Sequence, residues 1–113
     1  MNDRHELLVE MDAACDRLTA AAGQGDRRRY VDDPLFRCAI AYLWLRSAEP
    51  AAQLLSRRLV DHSRKSTWSY LPVIRNSLAH DREQQIDYDK LWDLLPTLPM
   101  SVGQDVDRLL ACG

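Results

Sequence analysis

The sequence predicts an all-α fold, a bundle of four to five helices, on three observations. Leu, Ala and Arg are common while glycine occurs only four times and β-branched residues are sparse, a balance that favours helix over sheet. Apolar residues recur at three- and four-residue steps along most of the chain. No segment shows the two-residue alternation of a strand, and no internal repeat or low-complexity tract interrupts the pattern. At 113 residues the chain reads as a single domain over 1–113, with room for one core and not two.

The elements follow in order. Residues 3–22 form an amphipathic helix in which Leu7, Met11, Cys15 and Leu18, joined by Leu8, Ala14, Ala21 and Ala22, repeat on one face. Gly23 and Gly25 stop it, and the segment from Gly23 to Pro34 reads as a connection, with Asp33 before Pro34 as a helix start. From Pro34 a second helix runs about 28 residues. Its first half is apolar nearly all round, with Leu35, Phe36, Ile40, Tyr42, Leu43, Trp44 and Leu45 close together, so it must be central, or covered partly by another subunit. Pro50 is expected to kink this helix or restart it after Ser47. His62 to Thr67 make a polar break. A third helix spans Trp68 to Ala79, with Pro72 tolerable in its first turn. After a charged loop from Asp81 to Gln85, a helix begins near Ile86 with Asp87 and Asp89 at its positive end. Pro96 and Pro99 interrupt the path before a last helix carrying Val102, Val106, Leu109 and Leu110 on one side.

Composition excludes several classes. The net charge of −2 argues against a protein that coats nucleic acid along its whole surface. The charge is nonetheless uneven: residues 27–75 hold ten Arg and Lys against four Asp and Glu, whereas residues 81–113 hold three against seven. A basic middle permits an anionic ligand there. The cysteines, Cys15, Cys38 and Cys112, have no C-x-x-C spacing, and Cys15 and Cys38 fall on apolar helical faces, which reads as buried thiols. His5, His62 and His80 are far apart and form no H-x-x-x-H pair, so no metal and no cofactor is expected. No apolar run reaches the ~20 residues that cross a bilayer and no signal peptide opens the chain, so we expect a reduced, cytoplasmic protein without a membrane partner.

The densest packet of chemistry is Ile74-Arg75-Asn76-Ser77-Leu78-Ala79-His80-Asp81. Metal-free RNA cleavage needs a base for the 2′-hydroxyl, an acid for the leaving 5′-oxygen and a cation for the charge that develops on phosphorus. Histidine fills the first two roles near neutral pH, and the planar fork of arginine suits the third. On a helix, Asn76 and His80 are four apart and share a face. Arg75 and His80 are five apart, about 140° around the axis, and converge only if the helix ends, the Arg bends round, or a second subunit completes the site. Structural roles stay open beside this one: Arg75 bonded to a neighbouring carboxylate, and His80 capping the helix C-terminus.

The wider segment Trp68–Trp92 resembles the HEPN domain of the HepT family, the ribonuclease half of bacterial toxin–antitoxin pairs. The tryptophan seven residues before Arg75, the Arg75-Asn76 pair, the four-residue step to His80 and the downstream Ile86-Asp87 and Leu91-Trp92 carry the likeness, and Ala48-Glu49-Pro50-Ala51-Ala52 is similar to the family's Gly-Glu-Ala-Ala stretch. The resemblance implies an up-and-down helical bundle that forms a homodimer. It also implies a metal-independent endoribonuclease, toxin of a type II or VII-like pair, that leaves a 2′,3′-cyclic phosphate. In that family an Arg-x4-6-His motif from each subunit lines a cleft at the dimer interface. Arg75, His80 and Asn76 inherit the catalytic positions.

The implied partners are RNA and a minimal nucleotidyltransferase antitoxin that attaches AMP to a tyrosine two residues past the histidine. Here that position is Arg82, so the chain cannot be modified there. Arg82, Arg57, Arg58, Arg64 and Lys65 are candidates to hold RNA. Arg27-Arg28-Arg29 reads as a solvated loop, Trp44, Trp68 and Trp92 as core, and His62 as a solvated helix cap. Glu49 is expected either to pair with a basic residue of a partner subunit or to face water beside Pro50. The alternative function is a non-catalytic dimer that binds or regulates the nucleotidyltransferase.

Overall fold

The computed structural model describes residues 3–60 and 68–112. Among these are six α-helices and no strand: α1 (Arg4–Ala22), α2 (Arg27–Asp32), α3 (Pro34–Ser56), α4 (Tyr70–His80), α5 (Tyr88–Leu94) and α6 (Leu98–Ala111), with a short 3-10 turn at Glu83–Gln85. The all-α reading holds, with one helix more than the four to five expected. None of the helices is long and apolar enough to cross a membrane. The polar break, with His62, Arg64 and Lys65, lies outside the described residues.

The helices start where short-range chemistry places them. Asp3 accepts the Glu6 N–H at 2.9 Å to open α1, and Asp33 accepts the N–H groups of Leu35 and Phe36 at 3.0 and 3.3 Å to open α3, with Pro34 in the first turn. Asp87 does the same for α5 through Lys90 N–H at 3.0 Å. α3 is the central helix, and α1, α2, α4 and α5 all pack against it, while α6 packs on α1. Its inward residues Phe36, Ile40, Trp44, Ala48, Ala51 and Leu54 are buried in a core shared with Leu7, Leu8, Met11 and Leu18 of α1 and with Val102 and Val106 of α6.

Several expectations are corrected. The segment after Gly23 is not all connection. Asp26 accepts the Arg29 N–H at 2.9 Å and starts α2, a helix too short to show a period in the sequence. Gly25 precedes it because a Cβ there would meet Phe36 ring carbons at 3.1 Å. The arginine run is therefore not a solvated loop. Arg27 bonds both Asp89 and Asp93 at 3.2 Å, carboxylates four residues apart on one face of α5. Arg29 pairs with Asp33 and lies 4.3 Å from the Phe36 ring centroid. Tyr30 is buried and donates its hydroxyl to the Tyr88 carbonyl at 2.8 Å.

Pro50 does not restart the helix, since α3 is continuous from Pro34 to Ser56. The missing N–H forfeits one helical bond, at a cost of about 3 kcal/mol. That cost is offset where the neighbours Ser47, Ala48, Ala51 and Leu54 are all buried, because ending the helix there would expose them. Cys38 is exposed rather than buried, as is Cys112, while Cys15 lies in the core. Trp44 and Trp68 are fully buried, as expected, and Trp92 is half-buried against Tyr30 at 4.7 Å between ring centroids.

α3 ends in a paired-bond cap. The N–H of Leu59 donates to the Leu54 carbonyl at 2.9 Å and that of Arg58 to Leu55 at 3.2 Å, which puts Arg58 at φ 54°, where glycine usually stands. A Cβ in this left-handed region costs roughly 1–2 kcal/mol, part of which glycine returns as entropy of the unfolded chain. Arg58→Gly is therefore expected to stabilise the protein by roughly 0.5–1 kcal/mol, read as a higher urea midpoint with unchanged slope. A lower midpoint would mean that the Arg58 side chain holds the end of α3 in some other way.

Candidate functional site

α4 carries the Arg-Asn-x-x-x-His motif, and its packing decides where each group points. Leu71 and Ile74 are buried, Leu78 is half-buried, and Val73, Asn76, Ala79 and His80 are exposed. Arg75 lies on the flank of α4 that meets α3. Its Nε–H donates to Glu49 Oε1 at 2.9 Å, and its Nη1–H donates to Asn76 Oδ1 at 3.0 Å. The two charged side chains remain partly open to water, 36% for Arg75 and 40% for Glu49, so the pair adds little to stability while fixing where the guanidinium sits. Glu49 thus meets the basic residue of its own chain, beside a proline that anchors it in the middle of α3.

His80 is the last residue of α4, where the helix dipole favours a cation, and among the described residues its imidazole takes no hydrogen bond or ion pair. The helix closes when the Asp81 N–H donates to the Ser77 carbonyl at 2.9 Å. Arg75 and His80 therefore bracket the outward arc of α4, about 140° apart, with Asn76 between them. Arg82 follows in extended backbone. Its N–H donates to Gln85 Oε1 at 3.0 Å and its carbonyl accepts the Gln85 N–H at 2.8 Å, while its side chain is exposed. Val73 and His80 are seven apart on one side of α4, and Val73 borders an apolar groove of about 220 Å³ walled by Ile74, Leu78, Ile86 and Leu91.

Among the described residues, the candidate RNA-holding arginines are not gathered in one chain. α4 runs back along α3, with Arg75 at Glu49 and Tyr88 5.5 Å from Arg37 across the ring face. Arg57 and Arg58 lie just past the C-terminal end of α3, about two turns beyond Glu49, whereas His80 is about 7.5 Å along the axis of α4 from Arg75 in the opposite direction. Arg64 and Lys65 fall outside the described residues. The structure joins Arg75, Asn76 and Glu49, leaves His80 and Arg82 at the helix end, and sets Arg57 and Arg58 apart. Sequence reading missed that Glu49 belongs to this set. Its signal was a lone carboxylate in an apolar helix, which the sequence leaves either paired with a cation or facing water.

No group of three or more His, Cys, Asp or Glu among the described residues has the geometry to hold a metal ion. A larger cavity, about 400 Å³, lies between α1 and α6 away from the motif, and it is acidic, lined by Asp12, Asp16 and Asp107 beside Cys15 and Thr19. Burial first, then a side-chain hydrogen bond with Asp107 and the charges of Asp107 and Asp16, pushes the Asp12 carboxyl up from 3.8 to about 6. Burial also pushes the Cys15 thiol up to about 12, which suits an inert core thiol rather than a nucleophile.

No family model, curated protein or solved structure matches the chain.

The Asp12–Asp107 pair has a definite pH signature. The folded protein binds the Asp12 proton more tightly than the unfolded chain, so this contribution is full below pH 3.8 and is lost as pH rises to about 6. Asp107→Asn is expected to melt at a higher temperature than wild type above pH ~7 and to lose that advantage below pH ~4. Parallel melting curves at all pH values would show that Asp107 does not raise the Asp12 carboxyl.

Proposed function

We propose that this protein is a metal-independent endoribonuclease of HepT-like HEPN type, the toxin of a toxin–antitoxin pair, acting as a homodimer in the cytoplasm. The observation that supports it best is the state of Arg75. Its bond to Glu49 is the carboxylate contact of the structural alternative, but that bond takes only one of the five guanidinium N–H donors and Asn76 one more. About one and a half turns further on stands His80, whose imidazole has no hydrogen bond or ion pair among the described residues.

In this reading His80 takes the proton of the 2′-hydroxyl, whose oxygen attacks phosphorus. The P–O5′ bond breaks, and His80 of the partner subunit protonates the departing 5′-oxygen. The products are a 2′,3′-cyclic phosphate and a free 5′-hydroxyl. Arg75 binds the non-bridging oxygens as negative charge grows on them, and Asn76 fixes the Arg75 fork. Two subunits answer the 140° problem, since each contributes the group that the other cannot bring round. An exposed apolar stripe supports a second copy. Leu35 is 82% exposed and Tyr42 59%, and they share a face of α3 with Arg46 and Glu49. A subunit seated on that stripe would reach Arg75. Arg82 adds a cation near His80, and the groove beneath Val73 offers an apolar wall for a base.

A second reading rests on the same ion pair. If Glu49 neutralises Arg75 in the assembled protein, the dimer is a non-catalytic partner or regulator of a minimal nucleotidyltransferase. Arg82, standing where AMP would be attached to a tyrosine, means that any control by such a partner acts through binding or at another hydroxyl.

Cleavage of mixed RNA in EDTA decides between them. Wild type is expected to cut and leave cyclic phosphate ends, and Arg75→Ala and His80→Ala to lose about 10²-fold or more in rate while remaining folded dimers. Intact RNA with all three folded proteins would favour the non-catalytic partner.

A further inference from the structure

We infer that Glu49 is a positioning residue for Arg75, holding the guanidinium by its Nε edge so that the remaining donors meet a phosphate in one orientation. The substrate named here rests on the ribonuclease reading; the placement of Arg75 does not.

An arginine fork has five N–H donors. Glu49 takes the one on Nε and Asn76 takes one on Nη1. One on Nη1 and both on Nη2 remain, and among the described residues they have no acceptor. Three outward donors on a fixed plane match the oxygens of a phosphodiester, and a fork already held loses less rotamer freedom on binding. The anchor itself cannot drift. Glu49 stands between buried Ala48 and buried Pro50 on the central helix, so its backbone moves only with the core.

Stability does not account for the contact, because both partners are over a third exposed and such pairs contribute little. Electrostatics alone does not favour it either. A carboxylate at 2.9 Å lowers the attraction of Arg75 for an anion, so Glu49 weakens ground-state binding while setting geometry. That opposition gives the role a signature. Glu49→Gln keeps an oxygen acceptor and removes the charge, whereas Glu49→Ala removes both.

Two measurements on the 113-residue protein test it. The first is cleavage of a fluorescein-labelled single-stranded RNA oligonucleotide in EDTA, with kcat and KM separated. Glu49→Ala is expected to lose about tenfold or more in kcat, because a small misplacement of a charge-stabilising group is costly. Glu49→Gln should retain kcat within about threefold while its KM falls, since binding gains from the lost repulsion. The second is the nitrogen-15 resonance of Arg75 Nε–H, which should be protected from exchange in wild type and Glu49→Gln and unprotected in Glu49→Ala. An unchanged resonance in Glu49→Ala overturns the positioning role, and so does a wild-type kcat in that variant. If the resonance responds as expected but wild type leaves RNA intact, the ribonuclease reading fails and the placement of Arg75 by Glu49 stands.

Discussion

Trp44 sits fully buried at the middle of α3, and its indole N–H donates to the Leu91 carbonyl at 3.2 Å, a bond between residues 47 positions apart. This contact fixes α5 on α3, and much of the molecule depends on it. With α5 placed, Tyr30 can reach the Tyr88 carbonyl at its start, and Arg27 can reach Asp89 and Asp93 along its outer face. α2 is thereby tied down despite having only six residues, far fewer than an isolated helix needs. The space left along α3 is taken by α4, which brings Arg75 to Glu49.

The charge distribution changes meaning once folded. The basic middle and the acidic C-terminal part of the sequence permit an anionic ligand at the middle. The fold turns them partly onto each other, since Arg27 is taken up by Asp89 and Asp93, while Arg29 is met locally by Asp33. The cations near the motif are fewer than the count predicts, and the best placed, Arg75, already shares a carboxylate. Specificity at such a site rests on the direction of a few donors rather than on a broad positive field.

Acidic repulsion is handled differently at the other face. Between α1 and α6, Asp12 and Asp107 meet with Asp16 close by, and burial together with these neighbouring carboxylates raises the Asp12 carboxyl to about 6. Nothing in the sequence announces this, since Asp12 and Asp107 are nearly the whole chain apart and each reads as an ordinary surface carboxylate on an amphipathic helix.

The sequence by itself determined the helical class, the start of α3 at Asp33 and the approximate starts of α1 and α5, the buried stripe of α1, and the core placement of Trp44 and Trp68. It also placed Arg75, Asn76 and His80 on one helix with Asn76 and His80 on a shared face. These follow from capping and periodicity, which act within one or two turns and are written in adjacent residues. Only the tertiary structure decided that Pro50 stays inside a continuous helix, that Arg27–Asp32 is helical, that Cys38 faces out, and that Glu49 holds Arg75. Each depends on a partner contributed from elsewhere, 26 residues away for Glu49 and Arg75 and more than 60 for Arg27 and its carboxylates. Packing also overrides local preference where enough apolar surface is buried, as around Pro50. The sequence leaves Glu49 either paired with a partner subunit or facing water; only the folded chain shows that it meets Arg75 of its own chain.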